Sequence, residues 1–342
     1  MQTQLFNYHL PESSIAQRPL AQRDASRMLV LDRKTGRVEH SRVKDLAQWL
    51  LPHDRVVVNR TKVVPVRLFG CKSTGALIEI FLLRPFDGDK VWEALVNPAR
   101  RVRNQAVLRL QPRGEAEIIE TLGEGHFLVE IRGTGPLRPF LFQHGHVPLP
   151  PYIKRPDDSK DRERYQTLFA REAGSVAAPT AGLHFTSSLL DDLRKRGVNK
   201  SEVILHVGLG TFLPVSTEDT ENHVMHPEIY EVPSATVKAV KETREKGGRI
   251  AAIGTTVVRA LESSRDEKGE LSAKQGETRL FITPGYEFGS VDILFTNFHQ
   301  PQSTLLMLVC AFAGRERVLS AYEEAVREGY RFLSYGDAML FI

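Results

Sequence analysis

The chain of 342 residues lacks the features that mark several large classes of protein. It contains 2 cysteines, Cys71 and Cys310, without Cys-x-x-Cys spacing, so we expect neither a disulfide framework nor a zinc–thiolate site. Its most apolar stretch, 304–313, is too short to span a bilayer, and residues 1–12 do not resemble a signal peptide. We therefore expect a cytoplasmic protein with no membrane partner.

Well-known catalytic signatures are absent as well. The sequence has no Gly-x-Ser-x-Gly elbow, Walker loop, kinase signature or zinc-deaminase motif. The Gly-Leu-Gly segment 208–210 follows a predicted strand, but Pro214 prevents the helix that a dinucleotide fingerprint requires. His223, His226 and Glu228 can mimic metal ligands, yet no His-Glu-x-x-His helix accompanies them, and we expect no bound metal.

Positive charge is concentrated in the first fifth of a chain whose net charge is only +4. Residues 1–64 hold 11 Lys and Arg against 6 Asp and Glu, whereas the remainder holds 35 against 36. A solvated surface explains such a surplus, and so does a polyanionic partner. Charge alone does not decide between these two explanations.

Short apolar runs separated by glycines fill the early middle of the chain. Ile78, Ile80 and Leu82 alternate with Glu79 and Phe81, which is the period of two expected for a strand with one buried face. Many short strands with little helical pattern indicate a small closed β-barrel. The predicted strands are 66–69, 77–83, 91–96, 106–110, 116–122 and 127–131.

Beyond a proline-rich passage and a predicted loop at 157–164, strands and helices alternate. We predict helices capped by Thr186, Ser234 and Ser303, because hydroxyl side chains satisfy the first free amides of a helix. An amphipathic helix near the end of the chain carries Val318, Leu319, Tyr322, Ala325 and Val326 on one stripe. The other predicted elements are strands at 202–207, 249–253, 278–283 and 291–295, and a helix at 255–263.

These patterns predict an α/β fold with two domains. A mixed α/β main domain is built from both ends of the chain, residues 1–64 and 152–342, because the N-terminal segment is too short to form a core alone. A small β-barrel domain is inserted at residues 65–151.

Three short segments place a histidine beside glycine, proline or hydroxyl residues where predicted elements begin or end. Chemistry in α/β proteins gathers at such strand ends, so we expect a small-molecule site. A lone histidine is more often structural, but several in such settings favour acid–base chemistry. The segments are 178–185, 206–212 and 296–299, and the candidate histidines are His184, His206, His226 and His299.

Gly254-Thr255-Thr256 follows a predicted strand and opens a predicted helix, where free amides point outward. We interpret it as a ribose or nucleotide contact, with simple capping by Thr255 as the alternative. Arg259 can reach a carboxylate or phosphate from the same end, but an ion pair with Glu262 on the same helical face is the competing account. Asp337 lies at a glycine turn, where a turn-forming role is the alternative.

Longer motifs run in one order along the chain: 6–11, 23–27, 145–153, 161–166, 174–176, 178–186, 206–212, 225–228, 254–256, 296–299 and 335–339. Together they resemble the S-adenosylmethionine:tRNA ribosyltransferase-isomerase family of queuosine biosynthesis. The resemblance covers nearly the whole chain and is weak only in the predicted barrel. Two positions depart from the family pattern: Arg60 replaces the usual Asp or Asn, and Gln300 replaces the usual Leu.

The resemblance implies an enzyme that moves the ribosyl unit of S-adenosylmethionine onto a 7-aminomethyl-7-deazaguanine base in tRNA and isomerises it. The products are epoxyqueuosine in tRNA, adenine and methionine. S-adenosylmethionine is then a consumed substrate, and no cofactor is implied. The family fold, an α/β domain with an inserted β-barrel, agrees with the pattern of elements above. We expect a monomer whose partners are this tRNA and S-adenosylmethionine.

This chemistry needs a base near the C5′ hydrogens, a proton donor for the leaving adenine, and movement of a hydroxyl proton. We place His184, His206, His226 and His299 in an acid–base pool without individual roles. The predicted substrate contacts are Thr180, Gly208, Gly210, Glu228, Thr255, Thr256, Arg259, Asn297 and Asp337. The predicted tRNA phosphate contacts are Arg23, Arg27, Arg100, Arg101 and Arg103.

Two other functions stay open at this point. An S-adenosylmethionine methyltransferase would release S-adenosylhomocysteine instead of adenine and methionine, although the missing glycine fingerprint counts against it. A non-catalytic RNA-binding module would bind tRNA independently of S-adenosylmethionine. That second alternative leaves the histidine-bearing segments unexplained.

Overall fold

The structure, a computed structural model, describes residues 1–88, 90–208, 210 and 215–342. Parts of the predicted segment 206–212, and Pro214, lie outside the described residues. The chain forms two compact units. One comprises Met1–Lys62, Pro150–Pro156 and Arg164–Ile342, and the other comprises Val63–Leu149 and Asp157–Glu163. The domain boundaries predicted above differ from these by two residues at the main junctions and do not include the return of 157–163.

Both ends of the chain contribute strands to the sheet of the first unit. Numbered along the chain, these strands are β1 Arg27–Leu31, β2 Val38–Arg42, β3 Arg55–Asn59, β12 Asn199–Leu205, β13 Glu228–Val232, β14 Ile250–Ile253, β15 Lys274–Thr278, β16 Ile293–Asn297 and β17 Ala338–Phe341. They form a nine-stranded sheet in the order β15-β13-β12-β3-β14-β16-β17-β1-β2. β4 (Thr61–Val63) and β11 (Glu172–Ser175) form a separate two-stranded sheet.

Four neighbouring strands of the large sheet, β12, β3, β14 and β16, run parallel to one another. Val57 of β3 pairs with Ala252 of β14, and Ala252 pairs with Leu294 of β16. Because parallel strands end at the same edge of a sheet, the segments that follow these four strands converge there. The candidate functional site lies at this edge.

The central strands of the sheet are buried on both faces. Ala252 and Leu294 belong to one hydrophobic core, while their neighbours Ala251 and Ile293 belong to a second core on the opposite face. Continuous apolar strands of this kind are typical of parallel sheets covered by helices on both sides. The helices of the first unit among the described residues are α3 Ser187–Lys195, α4 Ser234–Glu245, α5 Thr255–Ser263, α6 Thr304–Ala313 and α7 Arg315–Arg327. α1 Leu137–His144 lies in the second unit, and the short α2 Asp161–Arg164 lies at the boundary of the two units in sequence. No helix in the described part of the chain has the length and apolarity needed to cross a membrane.

The second unit contains the predicted β-barrel. Ile78, Ile80 and Leu82 are fully buried along one strand, as their alternation with Glu79 and Phe81 predicts. The barrel is closed, which removes the exposed strand edges that favour aggregation. Its strands are β5 Arg67–Cys71, β6 Leu77–Asp87, β7 Val91–Asn97, β8 Val107–Leu110, β9 Glu115–Gly123 and β10 His126–Arg132, in the order β10-β7-β6-β5-β8-β9. The predicted mixed α/β fold with a barrel is therefore confirmed.

Two predicted elements in the first unit are wrong in detail. Ser234 does not cap α4: the Pro233 carbonyl accepts the first helical hydrogen bonds, and Ser234 is the first helical residue. The strand predicted at 278–283 lies earlier, at Lys274–Thr278, where it pairs with β13. The Thr278 hydroxyl accepts a hydrogen bond from the Leu280 amide, and this local turn ends the strand.

The predicted loop at 157–164 is also partly wrong, because it contains α2. Asp158 Oδ1 accepts hydrogen bonds from the amides of Lys160 and Asp161, at 3.0 and 3.3 Å. A carboxylate in this position satisfies the free amides at a helix start, which favours the short helix over an open loop.

Thr186 caps its helix as predicted and Ser234 does not, and this difference gives a test of stability. The Thr186 hydroxyl accepts from the Leu189 amide at 3.2 Å and donates to the buried Asp24 carboxylate at 2.7 Å. We expect Thr186→Ala to lower the free energy of unfolding by about 1–2 kcal/mol. The matched control Ser234→Ala removes an exposed hydroxyl that caps nothing, and we expect a change within about 0.5 kcal/mol. Urea denaturation of both variants measures the difference, and equal losses would contradict the capping assignment.

Candidate active site

A cavity lies at the edge of the sheet where the four parallel strands end. It contains four of the predicted substrate contacts, Thr180, Thr255, Thr256 and Asn297, and the predicted catalytic residue His299. Its walls combine hydroxyl groups with apolar side chains, as is usual for a site that orients a small molecule. The lining residues are Tyr152, Ala178, Pro179, Thr180, Ala181, Val207, Gly254, Thr255, Thr256, Thr296, Asn297, Phe298, His299, Gln300, Ser303, Leu305, Leu333 and Ser334.

Gly254 turns the chain from β14 into α5. Its φ of 98° lies in the left-handed region that favours glycine, and its amide donates to the Phe295 carbonyl of β16 at 2.7 Å. Gly254 occupies the cap position without a side-chain hydrogen bond, so the capping role considered for Thr255 is wrong. Thr255 and Thr256 line the cavity. They lie at the start of α5, where the first backbone amides have no acceptor within the helix.

The two N–H groups of the side-chain amide of Asn297, the last residue of β16, are shared among three acceptors. Its Nδ2 donates to the Leu333 carbonyl at 3.1 Å, to His184 Nε2 at 3.1 Å and to the Asp337 carbonyl at 3.5 Å. The side chain is only 2% exposed, and Oδ1 has no hydrogen-bond partner among the described residues. A buried acceptor without a donor is costly, so Asn297 is a strong candidate for contact with a ligand.

His184 contacts Asn297 but is not among the residues that line the cavity. It ends a 3-10 helical turn, Thr180–His184, and is 4% exposed. Burial lowers its pKa to about 4, and the positive charges of Arg331 and Arg23 act in the same direction. A hydrogen bond with the Arg23 backbone opposes this shift without cancelling it. The imidazole of His184 is therefore neutral at neutral pH.

His299 lines the cavity, and burial lowers its pKa to about 3. Its Nε2 lies 3.2 Å from the Thr296 hydroxyl, and its Nδ1 lies 3.4 Å from the hydroxyl of Tyr322. Tyr8 donates to the His299 carbonyl, and the Tyr322 hydroxyl accepts from the His299 amide, so the backbone is fixed as well. The ring is neutral at neutral pH, which is the form that can accept a proton.

The other two predicted histidines lie elsewhere in the first unit. His206 Nδ1 is 2.6 Å from the Thr61 hydroxyl, and the ring packs against Gly174 so closely that a Cβ there would lie 2.7 Å from it. His226 is exposed and packs against Gly210, where a Cβ would lie 2.5 Å from the His226 ring. Neither histidine is among the residues lining the cavity.

Glu228 and Arg259 form a buried ion pair near His226. Glu228 Oε1 accepts from the Gly208 amide at 3.0 Å, and Oε2 pairs with Arg259. Arg259 also donates to the Leu280 carbonyl at 3.1 Å. The ion pair considered between Arg259 and Glu262 is therefore wrong. In the described ranges, no three His, Cys, Asp or Glu side chains group as a set that could hold a metal ion.

Asp337 also lies outside the cavity lining, in a network of the chain's own donors. Its Oδ1 accepts from the Arg27 amide at 3.0 Å, and its Oδ2 accepts from the Arg331 amide at 2.8 Å. The carboxylate is 2% exposed and joins β1 to the segment before β17. Asn297 donates to the Asp337 backbone carbonyl, which links this network to the cavity wall.

The five predicted tRNA contacts fall into two groups. Arg23 donates to the carbonyls of Gln166 and Leu183, and the Arg27 guanidinium stacks on the Tyr330 ring at 3.7 Å, so both have partners within the first unit. The remaining three are exposed at and beside a 3-10 turn, Ala99–Arg101, of the barrel unit. They are Arg100, Arg101 and Arg103.

Sequence reasoning missed several residues that line the cavity. Tyr152 and Ser334 are hydrogen-bonded to each other at 2.6 Å, and Thr296 contacts His299. Ser303 was predicted only as the cap of α6, a role it has, since it accepts from the Leu306 amide. Gln300, one of the two departures from the family pattern, lines the cavity too. Thr296 belongs to the Thr-Asn-Phe-His motif and Gln300 follows it, which was a usable signal for both. Tyr152 lies within the motif 145–153, but nothing in that motif pointed to this cavity.

This fold and this cavity define a class of α/β protein that binds a small molecule at the carboxyl edge of parallel strands and carries a barrel within the chain. A family model described as "Queuosine biosynthesis protein" matches residues 3–341. The chain belongs to this family.

Individual relatives match over almost their whole length. The chain is 49% identical over 337 residues to the S-adenosylmethionine:tRNA ribosyltransferase-isomerase of Trichlorobacter lovleyi, covering 98% of each protein. It is 51% identical over 338 residues to the protein of the same name from Carboxydothermus hydrogenoformans, again covering 98% of each. The crystal structure of S-adenosylmethionine tRNA ribosyltransferase from Thermotoga maritima matches with a TM-score of 0.55 and 37% identity, over 99% of this chain and 100% of that one.

The buried histidines predict a dependence of stability on pH. Because folding lowers the pKa of His299, the unfolded chain takes up a proton below about pH 6.5 that the folded chain does not. Stability is therefore lost as the pH falls from about 6.5 towards the folded pKa. Between pH 7.5 and 5, His299 contributes about 2 kcal/mol to this loss.

We expect His299→Asn to reduce the difference in unfolding free energy between pH 7.5 and 5 by about that amount, about 2 kcal/mol. The control is His53→Asn, because His53 is exposed and its φ of 75° is one that Asn tolerates. Urea denaturation at the two pH values measures both variants. An unchanged pH dependence in His299→Asn would show that folding does not lower the pKa of this ring.

Proposed function

We propose that this protein is an S-adenosylmethionine:tRNA ribosyltransferase-isomerase of queuosine biosynthesis. It moves the ribosyl unit of S-adenosylmethionine onto the 7-aminomethyl-7-deazaguanine base of a tRNA and isomerises it to give epoxyqueuosine. Adenine and methionine are released, so S-adenosylmethionine is consumed as a substrate and no cofactor is needed. The observation that carries this proposal is the full-length match to relatives of this name at 49–51% identity.

The cavity at the ends of β14 and β16 is the proposed binding site for S-adenosylmethionine. Thr180, Thr255, Thr256 and Asn297 supply polar contacts along its wall, and a nucleoside presents several hydroxyl and ring-nitrogen groups to match them. His299 lies on the same wall, and its neutral ring is proposed to accept a proton such as the acidic C5′ hydrogen beside a sulfonium, although its low pKa makes it a weak base.

The proton donor for the leaving adenine is proposed to come from outside this pair of buried histidines. A group with a pKa of about 3 or 4 carries almost no proton to give at neutral pH, which applies to His299 and His184. His206 and His226 are the remaining histidines of the proposed acid–base pool. They lie with Gly208, Gly210 and the Glu228–Arg259 pair near the end of β12.

The tRNA is proposed to be held by arginine contacts with phosphate. Arg100, Arg101 and Arg103 are exposed on the barrel unit, where guanidinium groups can reach a polyanion without disturbing the core. Arg23 and Arg27 stay in the proposed footprint, although their internal contacts limit their reach. The target base is proposed to be splayed from a single-stranded loop into a pocket, as is usual in specific RNA recognition. We also propose that the protein acts in the cytoplasm as a monomer.

Product analysis tests the proposed reaction. The protein is incubated with S-adenosylmethionine and a tRNA carrying the 7-aminomethyl-7-deazaguanine base, and the nucleosides and small molecules are identified by mass. We expect epoxyqueuosine together with equal amounts of adenine and methionine. The appearance of S-adenosylhomocysteine with a methylated nucleoside would instead identify a methyltransferase, and unchanged S-adenosylmethionine alongside tight tRNA binding would identify a binding module.

Charge reversal tests the proposed tRNA footprint. We expect Arg101→Glu with Arg103→Glu to weaken tRNA binding at least tenfold and to reduce the salt slope by about 1.5, because two phosphate contacts are lost. The matched control is Arg194→Glu with Lys195→Glu, which reverses the same number of charges at exposed positions of α3. Filter binding over a range of salt concentrations measures both pairs. Equal effects of the two pairs would mean that only net charge matters.

A further inference from the structure

The orientation of the Asn297 amide is determined by its surroundings. Two of the three groups facing Nδ2 are backbone carbonyls, of Leu333 and Asp337, and carbonyls only accept hydrogen bonds. If the nitrogen and oxygen of the amide were exchanged, Asn297 Oδ1 would face the carbonyl oxygens of Leu333 and Asp337, and no hydrogen bond could form between them. The nitrogen therefore faces these carbonyls, and the oxygen Oδ1 is the atom left without a partner in the described part of the chain.

His184 completes this arrangement. Its Nε2 faces Asn297 Nδ2 at 3.1 Å, and because Nδ2 is a donor, Nε2 is the unprotonated nitrogen of the ring. The ring also hydrogen-bonds the backbone of Arg23 in a way that raises the pKa, which identifies a carbonyl as the acceptor for the other ring nitrogen. Both nitrogens of His184 are thus used within the protein, and the ring is absent from the cavity lining.

We propose that Asn297 Oδ1 accepts a hydrogen bond from a ribose hydroxyl of S-adenosylmethionine, and that His184 is a positioning residue that fixes the Asn297 amide for this contact. The inference rests on the proposed function, because that function brings S-adenosylmethionine to this cavity. His184 then leaves the acid–base pool, since its two nitrogens have fixed roles as acceptor and donor.

A hydroxyl suits this position better than the amino group of adenine. The residues that line the cavity include Asn297, whose Oδ1 is an acceptor without a partner in the described part of the chain, and Thr255 and Thr256 at the start of α5, whose amides are donors without an acceptor in the helix. A ribose hydroxyl can donate a hydrogen bond to Asn297 Oδ1 and accept one from a backbone amide of Thr255 or Thr256. An amino group conjugated to the adenine ring can only donate. The apolar part of the wall, which includes Pro179 and Leu305, suits the flat faces of the base.

The test measures whether the enzyme recognises the hydroxyl through Asn297. The probes are S-adenosylhomocysteine, which lacks the reactive sulfonium, and its 2′-deoxy, 3′-deoxy and N6,N6-dimethyl forms, each used as an inhibitor of tRNA conversion. For the unmodified enzyme, we expect removal of one of the two hydroxyls to raise the inhibition constant about tenfold. In Asn297→Ala, we expect the same deoxy probe and its parent to inhibit equally.

Two substitutions of His184 separate positioning from acid–base catalysis. His184→Gln places an amide oxygen near the position of Nε2 and restores the acceptor for Asn297, whereas His184→Asn is too short to reach it. We expect His184→Asn to lose the discrimination against the deoxy probe and to raise KM about tenfold with a smaller change in kcat. We expect His184→Gln to keep the discrimination against the deoxy probe and the KM within about threefold of the values of the unmodified enzyme, although glutamine cannot take up a proton.

The outcomes distinguish this inference from the proposed function. If the unmodified enzyme makes no epoxyqueuosine, the proposed function fails and the inference with it. If it makes the product but Asn297→Ala discriminates between the probes as before, only the inference fails. If Asn297→Ala loses discrimination against the N6,N6-dimethyl probe alone, Asn297 contacts the base and not the ribose. Equal defects in His184→Gln and His184→Asn would overturn the positioning role of His184. Should Asn297→Ala fail to fold by circular dichroism, the two His184 variants decide the question.

Discussion

The parallel pairing of β14 with β16 is the constraint on which the rest of the site depends. It brings Gly254 and Asn297 to the same edge of the sheet, although 42 residues separate the positions paired in the two strands. The hydrogen bond from the Gly254 amide to the Phe295 carbonyl then joins the start of α5 to β16. Residues from the start of α5 and from the end of β16 therefore line one cavity, which neither segment forms alone.

Burial at this edge has a direct chemical consequence. His184 and His299 are enclosed among apolar and aromatic side chains, and desolvation favours their neutral forms. Neutral rings can accept protons or orient an amide, but they do not deliver protons to a leaving base. The structure thus divides the predicted histidines into two buried rings, His299 in the cavity lining and His184 in contact with Asn297, and two less buried rings. The less buried rings, His206 and His226, lie outside the lining.

The sequence was sufficient for much of the fold and for part of the site, because both depend on local patterns. Alternating apolar residues identified the barrel strand around Ile80, and Gly254 with two threonines marked a strand-to-helix turn. The contribution of Tyr152 to the cavity was not predictable, since it depends on a contact with Ser334, 182 residues away. The partner of Arg259 was misjudged for the same reason: Glu262 is near in sequence, but Glu228 is the residue it meets in space.

A crystal structure of the protein with bound S-adenosylhomocysteine would test the central claim most directly. We expect the nucleoside to occupy the cavity at the ends of β14 and β16, with a ribose hydroxyl within about 3 Å of Asn297 Oδ1 and with His184 separated from the ligand by that side chain. A nucleoside bound elsewhere in the chain, or one in this cavity with the His184 ring turned to contact it, would contradict the account.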